Sequence, residues 1–293
     1  INWIDLPKQN QLMNNTNIIL NKINNSPKVI IPIYELSDGR CFTFVANKFK
    51  FKNFAIQHGS QGPWAYWRFI YTIKMLSKLN PNHNNSLYLL DGKKISEVFI
   101  ANNIRNFEII GSPRIRHLPL IYNSVIAKKN TFLIILDLHN WEKLLINLKL
   151  EIKSLLNFKI IIRPHPLVKN IVIEKINKIN FVQNIFIDNF PNIDDSINTF
   201  SPCFILIGDS GFASELCLSG WPLILLRSRL LPTNSPLINK KFKIIKIYNI
   251  KEVVDLDIID SKYKNHIYQL GNALIDQYGA EADNKLMQIL NQK

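Results

Sequence analysis

The chain has 293 residues, of which 47% are hydrophobic and 20% charged, a composition typical of a folded globular protein rather than a disordered or fibrous one. No apolar run approaches the roughly 18 residues that a membrane-spanning helix needs, which argues against a transmembrane protein. The net charge of +14 indicates either an anionic partner, such as nucleic acid, an acidic glycan or a membrane surface, or the codon bias of an AT-rich genome.

Both explanations of the positive charge stay open. Lysine greatly outnumbers arginine, and Ile and Asn are abundant, which is the pattern that AT-rich codons produce. A nucleic-acid-binding protein more often clusters Arg with exposed aromatic residues on a recognisable module, and none appears, so we expect no nucleic-acid partner. Lys48, Lys50, Lys52 and Arg68 flank one predicted turn, which favours attraction of an anionic lipid or glycan to that place.

Short strands and helices alternate in the first part of the chain, residues 1–125. The predicted strands are 29–34, 42–45, 53–57, 86–90 and 107–111, and the predicted helices are 63–79 and 94–102. Polar residues with Gly or Pro follow three of these strands, at His58-Gly59, Asp91-Gly92 and Ser112-Pro113. The boundary to the second part lies near residues 123–130.

A second series of strands and helices fills residues 126–293. The predicted strands are 131–138, 158–162, 184–187, 203–207, 222–226 and 244–248, and the predicted helices are 141–156, 167–179, 193–199, 212–219 and most of 261–291. Strands that alternate with helices predict a parallel, doubly wound sheet, so the fold class is α/β.

The sequence Arg163-Pro164-His165-Pro166 directly follows an apolar strand. The prolines keep the backbone extended and present the guanidinium and the imidazole at the carboxyl end of the strand, where ligands of parallel sheets bind. Arg suits bidentate phosphate binding, and His can donate to a phosphoryl oxygen. The alternative is a Pro-rich turn whose His is merely exposed.

A second strand ends in Gly208-Asp209-Ser210-Gly211 and leads into a helix. The glycines permit close backbone approach, Ser210 can bind phosphate, and Glu215 can hold ribose hydroxyls one turn later. The alternative is a helix cap made by Asp209 or Ser210, with Glu215 complementing the helix dipole.

The turn after the third predicted strand offers a base. His58 precedes Gly59 at a strand end and could act as general base toward an acceptor hydroxyl, or it could be a turn histidine that bonds the backbone. Arg114 could reach a donor phosphate, although a surface role is the alternative. His83, His117, His139 and His266 have no partners in sequence and are predicted to be structural or surface residues.

No sequence pattern predicts a bound metal or cofactor. There is no zinc-ligand spacing, no Walker loop and no G-x-G-x-x-G fingerprint. The adjacent Asp194-Asp195 pair is predicted to open a helix rather than to chelate an ion. We therefore expect catalysis without a metal and with no cofactor beyond the activated substrate.

Five segments together resemble the GT-B glycosyltransferases of bacterial surface polysaccharides, a family that includes CDP-glycerol glycerophosphotransferases, capsule Kdo transferases and polysialyltransferases. They are FAIQHGS, LLDGKKISEVF, IIGSPRIRHL, IIIRPHP and IGDSGFASELCLSGWPLIL, in consistent order over roughly residues 50–230. Two positions depart from the family: Leu90 precedes Asp91 in place of a second acidic residue, and Gln57 precedes His58 in place of Trp.

The resemblance implies two Rossmann-like domains with parallel sheets facing a cleft. Residues 1–125 would form the acceptor domain, which looks short, so that an N-terminal part is absent or the chain is one module of a longer synthase. Residues 126–293 would bind the nucleotide sugar. The donor-binding residues expected from motif and resemblance are Arg163, His165, Pro166, Ser210, Gly211, Glu215 and Arg114.

The expected function is transfer of a sugar, first of all an acidic sugar such as Kdo or sialic acid from a CMP donor, to a growing cell-surface polysaccharide or lipid-linked glycan. His58 is the expected base of an inverting reaction, and Asp209 the expected nucleophile of a retaining one. The alternatives are a CDP-glycerol or CDP-ribitol polyol-phosphate transferase and a non-catalytic subunit that binds glycan or membrane. The expected location is the cytoplasm, peripheral at the inner face of the plasma membrane.

Overall fold

Strands alternating with helices account for both parts of the chain in the computed structural model of the protein. The structure describes residues 11, 14–15, 18, 28–32, 37–57, 66–67, 70–71, 73–75, 78, 86–124, 126–138, 141–179, 184–227, 235–238, 241–256 and 261–292. These residues form two units. The described residues of unit 1 come from Ile1–Ser60, Trp64–Arg116 and Ala273–Lys293, and those of unit 2 come from His117–Asn272.

Unit 1 contains a four-stranded parallel sheet in the order β1-β2-β3-β4. The strands are β1 (Lys28–Pro32), β2 (Lys52–Ile56), β3 (Ser86–Leu90) and β4 (Phe107–Ile109), and the helices of this unit are α1 (Ser37–Lys48), α2 (Lys93–Ala101) and α8 (Gly279–Gln292). Residues 66–67, 70–71, 73–75 and 78 are helical as predicted. Apolar residues of β3 and α2, among them Tyr88, Leu90 and Phe99, pack into its core.

The predicted strand at 42–45 is wrong, because these residues lie in the middle of α1. Neighbouring parallel strands need a crossover connection, usually a helix, and α1 is the connection between β1 and β2. The Thr43 hydroxyl donates to the carbonyl of Gly39, four residues earlier, at 2.8 Å, which is helical spacing. Four residues of mixed polarity are too few for the period of the pattern to separate helix from strand.

Unit 2 contains a six-stranded parallel sheet. Its strands are β5 (Lys128–Ile135), β6 (Lys159–Arg163), β7 (Ile185–Ile187), β8 (Pro202–Ile207), β9 (Leu223–Leu226) and β10 (Lys246–Ile247). Its helices are α3 (Trp141–Glu151), α4 (Lys169–Ile179), α5 (Ile193–Phe200), α6 (Ala213–Leu218) and α7 (Ser261–Leu274). The parallel, doubly wound sheet predicted for this part of the chain is confirmed.

The strand order of unit 2 reverses once. The order is β10-β9-β8-β5-β6-β7, so the chain builds outward from β5 to β7 and then returns to place β8 on the other side of β5. β5, β6 and β8 are apolar and buried along most of their length, as expected of a parallel sheet with helices on both faces. Ligands of such sheets bind where the order reverses, beyond the carboxyl ends of the strands. Here that place lies between β5 and β8.

The division of the chain differs from the sequence-based boundary at 123–130. Unit 2 starts at His117, and the C-terminal residues from Ala273 onward belong to unit 1. The reason is the apolar side of α8, where Ile289 is buried against Phe54, Leu89 and other residues of the first core. Amphipathicity shows that such a helix buries a face, but it does not show which of two sheets receives it.

Within the described part of the chain, no helix is long and apolar enough to cross a membrane.

Two helices of unit 2 approach each other closely at Gly271 of α7. A Cβ atom there would lie 2.7 Å from the backbone nitrogen of Leu218 and 2.9 Å from the carbonyl carbon of Cys217. Glycine at this position therefore lets α7 lie directly on the backbone at the end of α6.

Gly271→Ala is expected to lower the free energy of unfolding by roughly 1–3 kcal/mol, the usual cost of overpacking. Helix propensity alone predicts the opposite sign, since Ala is favoured over Gly in a helix interior by about 1 kcal/mol. Urea denaturation measures the difference, with Asn272→Ala on the exposed side of the same helix as control. A Gly271→Ala variant with a higher free energy of unfolding would show that the close contact between α7 and α6 does not limit stability.

Candidate functional site

A cavity of about 640 Å³ opens at the carboxyl ends of β5, β6 and β8 in unit 2. Its wall consists of residues 135–136 after β5, residues 163–166 after β6, residues 191–195 at the start of α5, and Ser210, Phe212 and Glu215 after β8, with His117 and Pro119 of the entering segment. The cavity therefore lies at the reversal of strand order, where the topology predicts a ligand site.

Arg163 ends β6 and fixes the cavity wall that carries residues 191–195. Its Nη1 donates to Asp188 Oδ2 at 2.6 Å and to the Ser196 hydroxyl at 2.8 Å. Its Nη2 donates to the carbonyl of Pro191 at 3.1 Å. The guanidinium thus joins the end of β6, the loop after β7 and the first turns of α5.

Asp188 is the acceptor at the centre of this network. Its side chain is fully buried. Besides Arg163, it accepts from the Ser196 hydroxyl at 2.6 Å and, through Oδ1, from the backbone N–H of Phe190 at 3.0 Å. Donors from three different segments therefore converge on one buried carboxylate. Arg163 is therefore engaged by the protein's own groups while it lines the cavity, and its role as a direct phosphate ligand stays a prediction.

His165 lies in the cavity wall, and its tautomer is set by the backbone. The N–H of Leu167 donates to His165 Nδ1 at 3.2 Å, so that the imidazole caps the short helical turn 166–168. Pro166 occupies the first position of that turn, where its missing N–H costs nothing. Because Nδ1 accepts, the ring proton resides on Nε2, which leaves an N–H donor. The backbone of His165 is extended, as the flanking prolines predicted.

Ser210 and Glu215 face the cavity from the other side of the reversal point. The N–H of Phe212 donates to Ser210 Oγ at 3.3 Å, and a hydroxyl that accepts in this way still carries a hydrogen that it can donate. Gly211 is an exposed turn residue, and Asp209 is half-buried in the bend after β8. Ser210 therefore lies in the cavity wall but does not cap α6, because Phe212 is the N-cap of that helix and no side chain caps it.

Gly208 is needed for a different contact from the one that the sequence suggested. A Cβ atom on Gly208 would lie 2.7 Å from Asp137 Oδ2. The glycine therefore makes room for a carboxylate that follows β5, at the junction of the two strands that flank the reversal point.

The sequence analysis missed the wall formed by His117, Pro119 and Asp194. Asp194 does lie in the first turn of α5 as predicted, and its Oδ1 accepts from the N–H of Leu120 at 2.9 Å. The entering segment is held further by the buried Ser219 hydroxyl, which donates to the Pro119 carbonyl at 2.7 Å. These contacts join residues about 70 to 100 positions apart, and no local pattern in the sequence reports them.

Arg114 belongs to unit 1, where its Nη2 lies 4.0 Å from Oδ2 of the buried Asp91. Burial, and to a lesser extent the Asp91 carboxylate, raises the pKa of the nearby Tyr66. His58, the expected base, lies outside the described residues. The catalytic roles of His58 and Asp209 stay predictions.

The residues that the structure describes contain no group of three or more His, Cys, Asp and Glu side chains that could hold a metal ion. Catalysis without a metal stays a prediction.

No protein-family model matches the chain. No curated protein matches it in sequence. Its fold is similar to that of several solved proteins, which share 12–14% sequence identity with it.

The S. aureus protein MnaA, solved with UDP, matches with a TM-score of 0.59 and 13% identity over 98% of this chain and 82% of its own. A UDP-N-acetylglucosamine 2-epimerase from Rickettsia bellii matches with a TM-score of 0.56 and 14% identity over 98% of this chain and 79% of its own. The lipopolysaccharide outer core galactosyltransferase WaaB matches with a TM-score of 0.52 and 12% identity over 100% and 82%.

These proteins have the GT-B type of fold, and the prediction of an α/β fold of this type, with Rossmann-like parallel sheets, is confirmed. Identities this low show the fold alone. They do not distinguish among the families that the sequence motifs resemble.

Arg163→Ala is expected to destabilise the protein by about 3–5 kcal/mol, because it leaves the buried Asp188 carboxylate without its charged partner. Urea denaturation followed by tryptophan fluorescence measures the loss. Arg105→Ala, which removes an exposed guanidinium of unit 1, is the control and should change stability by less than about 0.5 kcal/mol. If Arg163→Ala keeps the stability of the parent protein but loses nucleotide binding, Arg163 would be a direct ligand of the phosphate.

Proposed function

We propose that the protein is a glycosyltransferase that binds a nucleotide-activated sugar in the cavity of unit 2 and transfers the sugar to a glycan acceptor. The observation that carries the proposal is the position of His165 and Ser210 in one cavity wall, at the reversal of strand order in a GT-B type fold. Ligands of parallel sheets bind at this place, and these two side chains supply donors for phosphate.

The cavity wall offers polar groups for both the phosphate and the hydroxyls of such a donor. His165 Nε2–H and the Ser210 hydroxyl are neutral donors that can bind phosphoryl oxygens. The carboxylates of Glu215 and Asp195 also line the wall, and carboxylates accept hydrogen bonds from the hydroxyls of ribose or sugar. We assign Glu215 to the ribose, following the motif resemblance.

In the proposed reaction, the acceptor hydroxyl oxygen forms a bond to the anomeric carbon while the bond from that carbon to the phosphate oxygen breaks. The departing phosphate keeps the electron pair, and its developing charge is met by the His165 and Ser210 donors. The hydroxyl proton passes to His58 in an inverting reaction. No divalent metal is required in this proposal, since the sequence offers no spaced Asp pair at a strand end to bring one to the phosphate.

The donor proposed first is a CMP-activated acidic sugar, as the motif resemblance suggests, used at the cytoplasmic face of the plasma membrane. A UDP-sugar is the competing donor, because UDP and UDP-N-acetylglucosamine are named for the structural neighbours. A CDP-polyol is the third. A non-catalytic subunit would bind one of these nucleotides or none and turn over nothing.

Epimerisation of a nucleotide sugar is the second candidate function. Structural neighbours along 97–98% of this chain are described as UDP-N-acetylglucosamine 2-epimerases. Such a reaction needs no acceptor, so conversion of the donor in the absence of acceptor glycan distinguishes it from transfer.

The cavity is expected to bind a nucleotide, and the bound nucleotide should raise the melting temperature of the protein by mass action. CMP, CDP and UDP are compared by thermal shift, and His165→Ala should reduce the shift given by the best of them at least severalfold, because a phosphate donor is lost. His266→Ala on α7 is the control. If His165→Ala and Ser210→Ala both retain the full shift, the phosphate assignment is wrong.

His58→Ala is expected to lower turnover by roughly 10²–10⁴-fold, the scale of a lost general base, with nucleotide affinity nearly unchanged. The assay uses the donor selected by the nucleotide comparison, with and without EDTA, and EDTA should leave the rate unaltered. Asp209→Asn is run in parallel. Near-normal turnover in His58→Ala together with complete loss in Asp209→Asn would favour a retaining reaction with Asp209 as the nucleophile.

A further inference from the structure

Two neighbouring helices of unit 2 expose aliphatic side chains that the fold does not use. Ile146 and Leu150 on α3 are 57% and 76% exposed, and Leu167 and Ile171 at the start of α4 are 77% and 51% exposed. Ile146 and Leu150 are four residues apart in α3, so they lie one above the other on its outer side. Leu167 lies in the short helical turn 166–168 that precedes α4, and Ile171 lies in the first turn of α4. We call the outer surface of α3 and α4 that carries these side chains the lysine–aliphatic face.

The two helices form one continuous surface. α3 connects β5 to β6 and α4 connects β6 to β7, and right-handed crossovers that proceed in one direction place both helices on the same side of the sheet. The ammonium of Lys175 on α4 pairs with Glu142 on α3 and lies 5.0 Å from the centre of the Trp141 ring. The exposed aliphatic residues of both helices therefore belong to the same helical layer of unit 2.

Lysine surrounds these aliphatic side chains. Lys143 and Lys149 on α3 and Lys153 in the turn that follows are all exposed. The carboxylates of the same surface are engaged nearby: Glu142 pairs with Lys175, and Glu174 pairs with Lys178. A third, Glu151, accepts from the backbone N–H of Lys251 at 3.0 Å. The lysine–aliphatic face therefore carries a local excess of positive charge around an apolar centre.

This combination distinguishes a lipid surface from a protein partner. Protein interfaces are enriched in Tyr, Trp, Phe and Arg and depleted in Lys, whereas the described exposed residues of α3 and α4 include none of those four types and four lysines. Aliphatic side chains that enter the acyl boundary, with lysines that reach anionic headgroups, are the pattern of an interfacial helix. The chemistry of the face matches an anionic bilayer.

We propose that the protein binds anionic membranes through the lysine–aliphatic face of unit 2. The four aliphatic side chains enter the interface, and Lys143, Lys149 and Lys153 contact lipid phosphates. Leu167 is adjacent to Pro166 in the cavity wall, so the bilayer lies beside the opening of the cavity. The proposal does not rest on the reaction, because it concerns residues outside the cavity.

Co-sedimentation with vesicles tests the proposal on the full chain. Vesicles of phosphatidylcholine alone are compared with vesicles that also contain phosphatidylglycerol, each at about 0.1 M and at higher salt. Binding should require the anionic lipid and fall as salt rises, because screening shortens the reach of each charge. The triple variant Lys143→Gln/Lys149→Gln/Lys153→Gln should lower the partition coefficient at least tenfold. The pair Ile146→Ser/Leu150→Ser should lower it severalfold at every salt concentration.

Matched controls separate this face from the overall charge of the protein. Lys48→Gln/Lys50→Gln/Lys52→Gln removes the same charge from exposed positions of unit 1, where the sequence suggested attraction of an anionic partner. Ile100→Ser/Met287→Ser removes exposed apolar side chains from unit 1. Both controls should bind as the parent does.

Three results would overturn the proposal. Equal loss in the two lysine variants would show binding by net charge alone, and loss in the unit 1 variant alone would move the membrane site to that unit. Absence of binding to anionic vesicles, with self-association abolished by Ile146→Ser/Leu150→Ser, would identify a second copy of the chain as the occupant of the face.

Discussion

The guanidinium of Arg163 holds together the part of unit 2 on which its cavity depends. One side chain connects the end of β6 to the buried Asp188 after β7, to Ser196 in α5 and to the carbonyl of Pro191. Without these contacts, residues 191–195 would lose the anchor that places them across from Ser210 and Glu215. A residue type usually associated with phosphate binding here shapes the wall against which a phosphate would lie.

The topology explains why the cavity forms where it does. Because β8 returns beside β5, the segments that follow β5, β6 and β8 diverge and leave a space at the carboxyl edge of the sheet. His165 and Ser210 reach this space from opposite sides of the reversal point, each held by a backbone N–H, from Leu167 and Phe212 respectively. Both side chains are therefore oriented before any ligand arrives, which lowers the entropic cost of binding.

Much of unit 2 follows from local sequence. The apolar runs at 131–135, 160–162 and 204–207 are long enough to mark buried parallel strands, and Pro or Gly marks their ends. The prediction of a strand at 42–45 was wrong because four residues are too few to distinguish the period of a helix from that of a strand. The partner of Arg163 could not be predicted, since Asp188 lies 25 residues away and becomes a neighbour only when β6 and β7 pair. For the same reason no sequence pattern predicted that His117 lies in the cavity wall. The assignment of α8 to unit 1 depended on tertiary packing.

The central claim is that nucleotide binds at the carboxyl edge of the second sheet. Hydrogen exchange measured by mass spectrometry with and without a saturating nucleotide tests it directly, because binding slows local opening of the segments that contact the ligand. Protection should appear in peptides that cover 135–137, 163–168, 190–196 and 208–216, while 28–32 and 279–292 exchange as before. Protection confined to unit 1, or no protection under conditions where nucleotide binding is independently measured, would contradict this assignment.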